Sequence, residues 1–232
     1  AFEAVDVDAL PTLNAPAAWG RVPWPTLGAA AHKYDRGHVV VLSGPMSATG
    51  AARLAATASL RAGAGLATVA SAPDALLVNA AHLTTVMLQR IGGPEEFAAL
   101  LSDRRHNGGV LGPGLPVCAE TAEMARVALA SGAHVVLDAG AIRALFRDSA
   151  AAPEALRAAH QPVLTPHSGE MRDILAALGI APSADKLAQA KDVAERLGAV
   201  LVHKGADTVI AGRAQAAVNA NAPPWLATAG TG

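Results

Sequence analysis

From His38 onward, short runs of consecutive apolar residues alternate with longer Ala-rich segments. The runs are HVVVL (38–42), LATVA (66–70), GVL (109–111), HVVLD (134–138), PVLT (162–165) and AVLVHK (199–204). A run that is apolar at successive rather than alternate positions is buried on both faces, as in a strand of a parallel sheet. Residues 49–62, 117–130, 169–178 and 184–197 have the length and composition of connecting helices. The pattern predicts an α/β protein, a three-layer α/β/α sandwich with a mostly parallel central sheet. DTVIAG and AQAAVN, within 207–219, predict a β-hairpin turned at Gly212 and Arg213.

Residues 1–25 break this pattern. They hold Pro11, Pro16, Pro23 and Pro25 without a sustained period and predict a linker or docking arm, with Trp19 and Trp24 available to pin it. The main domain is then 26–232. The most apolar long stretch, Ala48 to Ala70, is interrupted by Arg53 and Arg61, so no membrane span is predicted. The opening AFEAVDVDAL has no basic segment followed by an apolar one, as a secretory leader requires, and no initiating Met, which suggests a processed chain or a fragment.

Composition narrows the function classes. The 232 residues are 52% apolar and 16% charged, and 18 basic against 19 acidic side chains give a net charge of -1. Without a Lys or Arg cluster, a surface built to hold nucleic acid or anionic lipid is excluded. The single cysteine, Cys118, excludes an internal disulfide and a Cys-based zinc cage and fits a reducing, cytoplasmic setting. Cys118 itself reads as a small buried apolar residue rather than a nucleophile.

Open α/β sheets bind ligands beyond the carboxyl ends of their strands. The segments expected there are SGPMSATGAA (43–52), GPGLP (112–116), DAGA (138–141), TPHSGE (165–170), KGADT (204–208) and ATAGTG (227–232). Each has a plain alternative: the glycines turn the chain, and Asp138 caps a helix. Lys204 is more pointed, because an ammonium after a buried strand is costly unless an anion or a carboxylate meets it. His167 and Glu170 stand three apart across a helix start near Ser168. Glu170 either serves the helix dipole or holds a hydrated Mg²⁺ through water. The other histidines read as surface or satisfied core groups, and the absence of a Walker A sequence excludes a P-loop enzyme.

Taken in order, HKYDRGHVVVLSG (32–44), TGAARLAATASLRAGAGLATVA (49–70), GPGL, VVLDAGAI, VLTPHSGEM, LVHKGADTVIA and LATAGTG resemble the motifs of the ADP/ATP-dependent NAD(P)H-hydrate dehydratases of the ribokinase-like superfamily. The resemblance covers nearly everything after residue 30. It implies a lyase of metabolite repair, which phosphorylates the hydroxyl of the hydrates NADHX and NADPHX and lets phosphate leave, with ADP or ATP and Mg²⁺ as helpers. It also implies roles residue by residue. Ala51, Gly114 and His167 match substrate contacts, and Lys204, Gly205, Ala206, Asp207 and Thr208 match the nucleotide-binding run. Gly230, Thr231 and Gly232 match the anion hole, Gly232 also contacting nucleotide. A homo-oligomer is implied, and 1–25 resembles the stretch that follows an NAD(P)H-hydrate epimerase domain in bifunctional members. The departures are Ser168 where the family has Pro, Gly140 where it has Asp, and the end of the sequence at Gly232, where a catalytic Asp and the C-terminal portion follow. The chain as written is therefore expected to turn over poorly. The alternatives are a small-molecule kinase of the same superfamily and a degenerate, non-catalytic copy.

Overall fold

A computed structural model describes residues 12–13, 27–28, 30–147, 151–213 and 215–228. Among these, the strands are β1 (Thr12–Leu13), β2 (His38–Leu42), β3 (Leu66–Ser71), β4 (Met87–Arg90), β5 (His106–Leu111), β6 (His134–Leu137), β7 (Val163–Leu164), β8 (Val200–His203), β9 (Thr208–Ala211) and β10 (Ala216–Asn219). The helices are α1 (Gly50–Ala62), α2 (Leu76–His82), α3 (Pro94–Leu101), α4 (Ala119–Ala130), α5 (Ala139–Arg147), α6 (Ala152–Ala158), α7 (Ser168–Leu178) and α8 (Lys186–Leu197). The strands form one sheet in the order β1-β10-β9-β8-β7-β6-β5-β2-β3-β4. All neighbours from β8 to β4 run parallel, β9 is antiparallel to both β8 and β10, and β1 is parallel to β10. The predicted sandwich and the hairpin are both present. Thr12–Leu13 pairs with β10, which puts part of the expected arm into the sheet edge.

The main core fills one face, where Leu42, Leu111, Leu137, Leu164 and Leu201 of the strands meet Leu129, Ile142, Ile174 and Val193 of the helices. A smaller cluster on the other face joins Val41 and Val69 to Ala52 and Ala56 of α1. Val110, Val136, Val163, Val200 and Val202 are only half-buried. The consecutive apolar residues are therefore enclosed unequally, the leucine-bearing face completely and the valine-bearing face in part.

Strand β4 and helices α2, α3, α5 and α6 were not expected from the pattern. Strand β4, MLQR, is the sheet's edge and has no fully buried residue, so it lacks an apolar run. Strand β5 begins three residues earlier than expected, at His106; its first half, HNG, is polar or glycine. Helices α7 and α8, both expected, carry their own boundaries. Asp185 caps α8 by accepting from Ala188 N at 2.9 Å, and Gly198 ends it in the left-handed conformation at φ +63°.

Candidate active site

The segments after β2, β5, β6, β7 and β8 gather at one end of the sheet because these strands are parallel and adjacent. Two glycines let the loops close. Gly114 has φ +80°, and a Cβ there would lie 2.4 Å from the carbonyl oxygen of Ala48. A Cβ on Gly140 would lie 2.1 Å from the carbonyl oxygen of Leu115. The 43–52, 112–116 and 138–141 segments are thus in backbone contact. Ala51 lies in the first turn of α1, beside this junction.

Lys204 meets a carboxylate. Its Nζ donates to Asp138 Oδ1 at 2.7 Å, and Thr165 Oγ1 donates to the same oxygen at 2.8 Å. The Lys204 and Asp138 side chains are 21% and 22% exposed, so the pair is half-buried and open to the strand ends. The backbone continues the arrangement, with Asp138 N donating to Leu111 O and Lys204 N to Pro166 O. Asp138 directs its carboxylate to Lys204 rather than capping α5. The next residue, Ala139, sits at φ +44°, an uncommon conformation for a residue with a side chain.

His167 is the N-cap of α7. Its Nδ1 accepts from Gly169 N at 2.9 Å and Glu170 N at 3.2 Å, while Glu170 Oε2 accepts from His167 N at 2.8 Å. This is a reciprocal capping box with histidine where serine or threonine is usual. Two N–H donors at Nδ1 require its lone pair, which leaves the proton of the neutral ring on Nε2, 3.2 Å from Glu170 Oε1. The His167 side chain is 59% exposed and that of Glu170 only 4%. The carboxylate lies inside the cap, and the imidazole is presented outward.

The 204–208 segment forms the rim. Gly205, Ala206 and Asp207 are exposed, and the Thr208 hydroxyl donates to Gly205 O at 3.3 Å. Lys186, at the start of α8, donates to the carbonyl of Asp207 and approaches its carboxylate at 3.2 Å. The hydrogen bond that Lys186 Nζ donates to the Asp207 carboxylate holds that carboxyl below the usual range. Beneath the rim, His203 is 5% exposed, and neither ring nitrogen has a hydrogen-bond partner among the described residues. Burial, and then the Lys186 ammonium, push its pKa down. His203 therefore departs from the expected satisfied core histidine, whereas His38, on the first residue of β2, matches it through Thr68 Oγ1 at 2.7 Å. Sequence reading passed over His203 and Lys186: the first is hidden in an apolar run, and the second lies in a helix far along the chain.

The structure thus brings Gly114, Asp138, His167 and the 204–208 run to one end of the sheet. Gly230, Thr231 and Gly232 lie outside the described residues. Cys118 is exposed rather than buried, because it precedes α4 and lies outside the core. Among the described residues, no three His, Cys, Asp or Glu side chains converge as a metal site, and no helix is long and apolar enough to cross a membrane.

The sequence profile of the NAD(P)H-hydrate dehydratase family matches residues 39–232. The chain is 37% identical over 229 residues to a bifunctional NAD(P)H-hydrate repair enzyme of Moorella thermoacetica, covering 93% of this chain and 42% of that protein. It is 34% identical over 217 residues to an ADP-dependent (S)-NAD(P)H-hydrate dehydratase of Xanthomonas campestris, covering 86% of this chain and 70% of that protein. It thus spans about two fifths of the length of the bifunctional relatives. Among solved structures, the ADP/ATP-dependent NAD(P)H-hydrate dehydratase of Bacillus subtilis, co-crystallized with ATP/Mg²⁺, superposes with a TM-score of 0.71 at 25% identity, covering 89% of this chain and 72% of that one. A ribokinase-like protein of Enterococcus faecalis superposes with a TM-score of 0.72 at 25% identity, covering 89% and 71%.

Proposed function

The chain belongs to the NAD(P)H-hydrate dehydratase family, and on that premise we propose that it carries the site for nucleotide-dependent repair of NADHX and NADPHX. The observation that carries the reading is the half-buried Lys204–Asp138–Thr165 cluster, set beside the capped His167 at the sheet end where the family's motifs meet.

In the proposed reaction the substrate hydroxyl is phosphorylated, and the carbon–oxygen bond then breaks with its electron pair leaving on phosphate. The ring nitrogen's lone pair stabilises the carbon left behind, and loss of a proton from the adjacent carbon restores the double bond. What the chain contributes is position and charge. The 204–208 run supplies the nucleotide contacts: the half-buried Lys204 ammonium draws the phosphate end inward, and the Gly205 to Thr208 segment follows the rest. Lys204 is neutralised by Asp138 in the described state, so an incoming phosphate competes with that carboxylate for Nζ. Ala51 and Gly114 lie at the loop junction that would border the hydrate, and the exposed part of the His167 ring faces outward beside it. Gly230, Thr231 and Gly232 supply backbone N–H groups to the transferred phosphate.

Glu170 is the residue assigned to Mg²⁺. Its buried carboxylate already accepts the His167 N–H, which fits contact through water and not direct ligation. No step is routed through the metal. ADP and ATP both fit the reading, as the names of the two dehydratase relatives suggest. A homo-oligomer and fusion to an NAD(P)H-hydrate epimerase domain, both implied by the family resemblance, complete the proposal.

The test is an assay of the full-length protein that contains residues 1–232, with purified hydrate and either nucleotide. Return of reduced-nicotinamide absorbance together with orthophosphate release supports the reading. A stable phosphate ester assigns the kinase alternative instead, and hydrate left intact without nucleotide consumption removes both.

A further inference from the structure

The turn 204–207, between β8 and β9, is tied to the rest of the chain at both ends by lysine–aspartate pairs. At its start Lys204 Nζ meets Asp138, which follows β6. At its end Asp207 meets Lys186, the first residue of α8, from twenty-one residues earlier in the chain. Between the two pairs the turn's own bonds are long. Gly205 N donates to Thr208 Oγ1 at 3.4 Å, and that hydroxyl donates to Gly205 O at 3.3 Å. Bonds of this length hold a loop weakly. Beneath the turn, His203 is buried with neither ring nitrogen partnered among the described residues, so its side chain adds no hydrogen bond.

Lys186 is set across the turn. Its Nζ donates to the main-chain carbonyl of Asp207 and to Asp207 Oδ1, the latter at 3.2 Å. On the other side, a Cβ on Gly205 would lie 2.7 Å from the same Nζ, so the ammonium fills the space that the glycine leaves. One cation thus lies against residues 205 and 207 together. Without that contact its place is electrostatically unfavourable, because the first turn of a helix carries the positive end of the dipole. Helix α8 is itself firmly placed: Asp185 caps it, and Val193, Ala194 and Leu197 are buried in the core. A side chain carried by a packed helix positions a loop more precisely than the loop's own contacts do.

We propose that Lys186 is a positioning residue for the nucleotide, holding the 205–207 backbone in place while Lys204 exchanges Asp138 for a phosphate oxygen. The proposal deepens the repair reading and rests on it. Once phosphate draws the Lys204 ammonium away from Asp138, the anchor at the start of the turn is lost, and the Lys186 pair at its end remains. Lys186 acts through Asp207 and Gly205, so it bears on nucleotide binding and not on the chemical step.

The experiment compares the full-length protein with its Lys186→Met and Lys186→Arg variants. Methionine keeps an unbranched apolar stem and removes the charge and the donors; arginine keeps all three. Without nucleotide, amide hydrogen exchange in the peptide that contains 204–208 is expected to run about tenfold faster or more in Lys186→Met and within about twofold of the parent in Lys186→Arg, with both thermal midpoints unchanged. With nucleotide, Lys186→Met is expected to raise the KM for ADP or ATP about tenfold, to hold kcat and the hydrate KM within about twofold, and to be rescued by arginine. Unchanged exchange in Lys186→Met overturns the proposal, as does an unchanged nucleotide KM, a loss confined to kcat, or a defect that arginine does not rescue. A parent protein that uses no nucleotide, while exchange still responds to methionine, keeps the strut and removes the repair reading. Nucleotide-dependent turnover with exchange and KM both unchanged does the reverse.

Discussion

An ammonium at the end of a buried strand needs a countercharge, and Asp138 supplies it from a strand two places away in the sheet. That need was legible in the sequence, because Lys204 follows an apolar run; the identity of the partner was not, because sixty-six residues separate the two. Gly140 shows the converse. In the sequence it is a departure from the family's Asp and suggests only added backbone freedom. In the structure it is where the 112–116 loop rests on the start of α5, with a Cβ placed 2.1 Å from the Leu115 carbonyl oxygen. The obstacle is backbone, which cannot swing aside as the end of a flexible side chain can. Gly140→Asp, which restores the family's usual residue, is accordingly expected to destabilise this chain by about 2 kcal/mol or more through overpacking. Urea denaturation measures it, and an unchanged midpoint would show that the loop moves freely.

At the scale of elements, the runs that read clearly were those enclosed by helices. Strands β2, β3, β6 and β8 fall within a residue or so of their expected limits, and so does α7. Helix α5 was missed even though six of its nine residues are buried: AGAIRALFR starts directly after a strand, with Ala139 at φ +44°. For α7 the sequence left two roles for His167 and Glu170, a helix start or a functional pair. The capping box shows the first in full and engages both ring nitrogens, so the second rests on the part of the His167 ring that remains exposed. One substitution separates them. Asparagine is among the best N-cap residues, so His167→Asn is expected to hold the thermal midpoint within the equivalent of about 0.5 kcal/mol, whereas His167→Ala costs about 1 kcal/mol. If the ring also touches substrate, both variants raise KM for the hydrate alike. A KM unchanged in His167→Asn would confine the residue to capping.

At the scale of the whole molecule, the parallel sheet has two unlike ends, and the amino end carries an acid-sensitive group of its own. The carboxyl end gathers Asp138, His167 and Lys204. At the amino end His38, 5% exposed, is joined to Thr68 by a hydrogen bond and lies with its ring 4.4 Å from that of His106. Burial, followed by the neighbouring His106, lowers the pKa of His38 from 6.5 to about 4. A histidine held neutral in the folded state and free to protonate in the unfolded chain stabilises the fold fully above the unfolded pKa, and that contribution is lost as pH falls through the interval down to the folded pKa. Between pH 6.5 and about 4 the unfolded state binds the extra proton, so the fold loses up to about 3 kcal/mol through this one group. Asp207, whose pKa is lowered below the ordinary 3.8 by its hydrogen bond from Lys186, contributes in the same direction but only below this interval. His203 is shifted downward too and overlaps the window, which makes His38→Gln a comparison of slopes rather than of end points. Denaturation midpoints from pH 7 to pH 4 should fall less steeply in His38→Gln than in the parent chain. Equal slopes would mean that His38 gains its proton without opening the amino end of the sheet.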